Sequence, residues 1–268
     1  MNARALPATT SPSLVPVGSP SRLGGFGNLL RRELGAWWRT RSWWIQLLVW
    51  LVVLDGISLI VMMDASMSPH ALTAEAVRTF LLVGASAIGI GVVVTVQGAI
   101  VGEKELGTAA WVVSKPVSRA SFVMAKFVGH GCAFLGLAVI VPTTVFAIEA
   151  RMLLTAPVAT GHLALAAVVI ALSVVFYLAL TLALGTLFRS RGPVAGIGLA
   201  TVLAGLFLKG MLPSALVYAS PWLLGDVASS IALGTELDPN WPVPIGAAVI
   251  LSIGLLWAAV RRFEREEF

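Results

Sequence analysis

Apolar residues in this chain come in long runs rather than at alternate positions. Beyond Trp43 six stretches stand out, at 44–63, 79–101, 127–148, 163–188, 193–212 and 243–260. Each is close to the roughly 20 apolar residues that a helix needs to cross a hydrocarbon core. Lipid offers no partner to backbone N–H and C=O groups, so crossing segments without a period-two pattern must be helices. The pattern predicts an all-α integral membrane protein with six transmembrane helices. Residues 1–22 are rich in Pro, Ser, Thr and Ala and read as a flexible tail, and 23–268 as one membrane domain. Pro142 inside the third run predicts a kink or loosened hydrogen bonding. Pro242 and Pro244 suit the first turn of the sixth helix. Lys209 makes the fifth run the least regular.

Two shorter stretches have helical rather than uniform apolar spacing. In 26–39, Phe26, Leu29, Leu30, Leu34, Trp37 and Trp38 share one face, and Asn28, Arg31, Arg32, Gly35 and Arg39 the other. Basic residues opposite Trp and Leu describe a helix lying in the membrane interface. Glu33 falls within the apolar face and needs a partner. Either it reaches water or a neighbouring arginine, or it contacts another helix or subunit at the cytoplasmic mouth. The second stretch joins runs two and three. Leu106, Ala109, Ala110 and Val113 have i, i+3, i+4, i+7 spacing, and Lys115-Pro116 ends the pattern. Ser118 is placed to cap the next helix.

Composition agrees with a membrane solvent. The 268 residues are 58% apolar and only 12% charged, against about 25% charged in soluble domains. The net charge of +5 is distributed in a way that argues for headgroups and against nucleic acid. Segments 4–41, 104–126, 189–191 and 261–265 carry fifteen of the eighteen Lys and Arg residues. By the positive-inside rule these are cytoplasmic, and both termini with them. The single cysteine, Cys132, excludes an internal disulfide and reads as a packed thiol.

The connecting stretch also carries a resemblance. Ile-Val-Gly-Glu-Lys-Glu-Leu-Gly-Thr-Ala-Ala-Trp at 100–111 is followed by Ser-Lys-Pro-Val-Ser-Arg at 114–119 and Phe-Val-Met-Ala-Lys-Phe at 122–127. This resembles the permease subunits of ABC-2-type transporters. The matching positions are Glu103, Glu105, Gly107, Thr108, Pro116, Arg119 and Lys126. Arg-Arg-Glu-Leu at 31–34 and Ala-Leu-Gly-Thr-Leu-Phe-Arg-Ser-Arg at 183–191 are similar to the family as well, and Ser-Pro-Trp-Leu-Leu-Gly at 220–225 more loosely. The resemblance implies a short cytoplasmic coupling helix between spans two and three. Glu103, Glu105, Leu106, Gly107, Thr108, Pro116 and Arg119 would form the dock for a separate ATP-binding subunit. Glu33, Trp37 and Trp38 would belong to the interfacial helix. It further implies a second permease chain, identical or related, ATP and Mg on the partner subunit, and export. The expected location is a bacterial plasma membrane.

Catalytic chemistry is not legible. No glycine-rich Gly-Lys-Ser/Thr cradle for nucleotide phosphates occurs, so no cofactor is expected on this chain and it does not read as an enzyme. Ser86 and His130 lie in separate spans without the glycine that membrane serine proteases place after the nucleophile. His70, His130 and His162 lack metal-ligand spacing. Asp55, Gln97, His130 and Lys209 are polar residues inside the apolar runs that call for partners. An ionised Asp in mid-helix costs about 2.5–3.5 kcal/mol on insertion scales. Asp55 and Lys209 lie at compatible depths, so they could pair within the bundle or across a dimer; alternatively Lys209 reaches the outer headgroups and Asp55 faces a water-filled vestibule. Gln97 and His130 either line a path from the cytoplasm or bond between helices. The rival readings are a proton- or ion-driven carrier titrating at Asp55, and a membrane scaffold without transport.

Overall fold

The structure, a computed structural model, describes residues 24–107 and 117–266. It is all-helical among the described residues, with no strand. α1 covers Phe26–Trp38. Five helices are long and apolar enough to cross a membrane: α2 (Ser42–Met62), α3 (Pro69–Glu105), α4 (Arg119–Leu153), α5 (Thr160–Leu187) and α9 (Pro242–Glu264). The fifth predicted run forms a shorter helix, α6 (Arg191–Phe207), of 17 residues. At 1.5 Å per residue it is about 26 Å long, just short of a full crossing of about 30 Å. Beyond it come α7 (Ser214–Tyr218), a 3-10 turn at Pro221–Leu223, and α8 (Leu224–Leu233).

Local chemistry sets the helix ends. Gly25 opens α1 at φ 77°, and a Cβ there would lie 2.8 Å from Val117. Ser68 accepts from the Ala71 N–H and Pro69 follows it, a standard helix start. Ser118 accepts from the Ser121 N–H, so the cap expected for α4 is present. Pro242 opens α9, as expected. The kink expected at Pro142 takes the form of a π-helical stretch at Leu135–Ile140, just before the proline. Proline removes a donor and crowds the preceding turn, and the wider turn relieves both. α2 holds a second π-helical stretch, Leu51–Gly56, without a proline. α3 and α4, at 37 and 35 residues, outrun their apolar cores at one or both ends. Hydropathy marks the part that can sit in lipid, while backbone hydrogen bonding carries on past it.

α5 is the centre of the bundle. It packs against α3, α4, α8 and α9. Small residues let the helices close, because without a hydrophobic drive between them close packing supplies the attraction. A Cβ on Gly89 would lie 2.8 Å from the Tyr177 ring, and one on Gly198 2.7 Å from Val93. Outward faces are apolar: Trp44, Ile45 and Leu48 on α2, and Ile250, Ile253 and Trp257 on α9, are more than half exposed. A water-soluble chain could not carry such faces. Cys132 also points outward instead of packing.

Candidate functional site

The chain is polar where α1, the end of α3, the start of α4 and the end of α9 meet. Lys126 on α4 is 3% exposed. Its Nζ lies 2.6 Å from Glu103 on α3 and 3.1 Å from Glu33 on α1. A buried ammonium is tolerable only with close, well-bonded counter-charges. Arg32 adds a longer contact to Glu103, at 3.9 Å. Leu29, Glu33 and Trp37 form the stripe of α1 turned towards α4, so Glu33 contacts another helix and not a local arginine. Gly129 permits this approach, since a Cβ there would lie 2.8 Å from the Glu33 Cβ. One turn on, Trp37 Nε1 donates to His130 Nδ1 at 3.1 Å, and the Trp37 ring packs edge-on against Phe134.

A second set of contacts binds the same region to the chain's other end. Arg119 donates to the backbone carbonyls of Glu264 at 2.6 Å and Glu266 at 2.8 Å. A cation on the last carbonyls of a helix is favourable, because those groups have no helical partner. Phe122 and Phe263 stack at 4.9 Å beside it. Lys104 reaches Glu266 at 2.8 Å and the Thr186 carbonyl at the end of α5 at 3.0 Å. Arg191, opening α6, lies 3.5 Å from Glu105 and against Gly98 and Gly102. Thus the two flanks of the 108–116 connection, Glu103–Gly107 and Val117–Arg119, are fastened to α1, α5, α6 and α9.

The expected dock residues fall as follows. Glu103 is in the buried network, Glu105 is on its exposed edge, and Leu106 is 76% exposed. Gly107 takes φ 67°, the left-handed conformation that ends α3. Arg119 is the clamp on α9. Thr108, Pro116 and the helix expected around Ala109–Val113 lie outside the described residues. Trp38 is about half exposed and packs on Trp43. Gln97 donates to the Val94 carbonyl of its own helix.

Within the chain the suggested Asp55–Lys209 pair is not formed. Lys209 lies 2.6 Å from Asp226. α6 ends at Phe207, two residues before Lys209, and the chain then folds back so that the Pro221–Leu233 segment presents Asp226. Trp222 holds that fold, its Nε1 donating to the Thr201 carbonyl at 3.0 Å. Lys104 and Arg191 fall in the segments that the positive-inside rule assigns to the cytoplasm, and Glu266 lies one residue beyond the last of them.

No curated protein matches the chain. The ABC-2 family transporter protein pattern matches residues 28–221, from within α1 to the turn before α8. That span holds Glu33, Glu103, Arg119 and Lys126, and covers well over half of the chain. With a helical membrane bundle, it follows that this chain belongs to the ABC-2 transporter family, as a membrane-embedded permease of an ABC transporter.

Proposed function

We propose that this permease is driven by a separate ATP-binding subunit that docks on the 103–119 connection, and that two permease chains together form the path of an exporter. Six crossings, with α6 and the turned-back segment after it as the fifth, put both termini and the basic segments in the cytoplasm of a bacterial cell. α1 then lies at the cytoplasmic interface, and ATP and Mg belong to the partner subunit.

One observation carries this reading: the flanks of the connection are fixed by buried ion pairs to several helices, while Leu106 stays exposed beside them. A partner that moves the loop therefore moves α1, α4 and α9 as one body. Rigid-body switching needs such a stiff link. The test is co-purification with an ATP-binding subunit encoded beside the chain. Replacing Leu106 by Asp and Glu105 by Lys removes the complex and ATP-driven transport while the melting temperature stays unchanged. A complex that survives both changes places the dock elsewhere. Transport that persists without any ATPase favours an ion-driven carrier.

A further inference from the structure

Asp55 is buried without the kind of partners that Lys126 has. It is 3% exposed and lies in the π-helical stretch Leu51–Gly56 of α2. Neither of its carboxyl oxygens has a hydrogen-bond partner among the described residues. π-helical turns are uncommon and frequently mark functional positions. The nearby Ser58 hydroxyl is committed to the Leu54 carbonyl at 2.7 Å. The same stretch packs on the last part of α4, where Glu149 also has a buried, unpartnered carboxyl oxygen, Oε2.

Among the described residues no cation pairs with either carboxyl. α3 packs on the same stretch, but its Glu75 and Arg78 are exposed. Arg78 lines a different cavity with His70 and His162. Arg151, beyond Glu149 on α4, donates to the Thr160 hydroxyl. Two neighbouring carboxyls in a low-dielectric setting cannot both stay ionised. A calcium ion would need six to eight oxygen ligands, and among the described residues no group of three or more acidic or histidine side chains is placed to hold a metal. A proton needs no further ligand.

We propose that Asp55, with Glu149 as a second buried carboxyl on the neighbouring helix, forms a proton-binding site inside the membrane bundle, the proton resting on Asp55. Loading is a simple transfer: hydronium gives its proton to a carboxylate, leaving water and a carboxyl. Glu149 is partly exposed and lies four residues before the end of α4 at Leu153, about 6 Å along the axis. It is the side from which the proton arrives, from the end of the bundle opposite the Lys126 network. A loaded site lets α2 and α4 pack together; an empty one sets two negative charges against each other. Proton concentration at that end thereby biases the relation of two helices, independently of how the ATP-binding subunit docks.

Infrared difference spectroscopy on the full chain in lipid nanodiscs tests this. The wild type shows the C=O stretch of one protonated, buried carboxyl at neutral pH, and loses it on alkalinisation. Asp55→Asn abolishes that band. Glu149→Gln keeps it, but with proton binding about tenfold weaker, because a neighbouring negative charge is gone. Thermal melting supplies a second readout: Asn imitates the protonated carboxyl, so Asp55→Asn melts no lower than the wild type at neutral pH and loses the wild type's fall in stability on alkalinisation. Absence of the band from the wild type at neutral pH overturns the proposal, as does its survival in Asp55→Asn. A band that responds to added calcium and not to pH puts a metal ion there and also overturns it.

Discussion

Lys126 and Asp55 are equally hidden, each about 3% exposed, yet their surroundings differ in kind. Lys126 is held by two carboxylates on two other helices. Asp55 has neither a hydrogen-bond partner nor a paired cation among the described residues. The first arrangement is mechanical: charge is neutralised locally and the helices are locked. The second is chemical: charge is relieved only by taking up a proton. The contrast separates a part of the bundle that transmits force from a part that responds to its solution.

The largest expected effect follows from breaking the first arrangement. Lys126→Met strands Glu33 and Glu103, which costs about 3–5 kcal/mol, read as a loss of monodisperse protein or a steep drop in melting temperature. Adding Glu33→Gln and Glu103→Gln to it restores most of the loss; failure to do so would mean that Lys126 matters for packing and not for charge. Gly129→Ala forces a Cβ against Glu33 and costs about 1–3 kcal/mol. Asp55→Asn is the contrasting case, with no loss in melting temperature at neutral pH. If it destabilises as Lys126→Met does, the two regions are alike and the distinction fails.

Smaller effects come from the opposite end. Lys209 and Asp226 are each a third or more exposed, so Lys209→Met costs under about 1 kcal/mol. The Tyr218 hydroxyl, 2.6 Å away, and the Asn240 N–H hold Asp238 below the usual carboxylate range. A carboxyl with a lowered folded value lends stability above its unfolded value and loses it as pH falls through the folded one. Tyr218→Phe therefore lowers the melting temperature slightly at neutral pH, and the difference vanishes on acidification below about pH 4.

Local features of the bundle were legible from sequence. The Ser118 cap, the Pro142 distortion and the Pro242 start depend on neighbouring residues, and each is present. Glu33 stood out because one carboxylate interrupted an apolar stripe. Its partner, 93 positions away, could not be named, because nothing in the stripe says which helix it packs against. Lys209 was misread for a related reason. Depth along a straight fifth helix pointed to Asp55, but α6 stops at Phe207 and the returning chain brings Asp226. The clamp of Arg119 on backbone carbonyls leaves no side-chain signature at all.

The central claim is that a motor subunit seats on the connection beside the Lys126 network. Leu106→Cys in a Cys132→Ser background places one thiol on the exposed flank of that connection. Bifunctional cross-linking after co-expression with the neighbouring ATP-binding subunit should join the two chains from position 106, with a yield that changes on adding ATP, and not from Leu216→Cys on the exposed face of α7 at the other end. Cross-links from 216 and none from 106 would contradict the account.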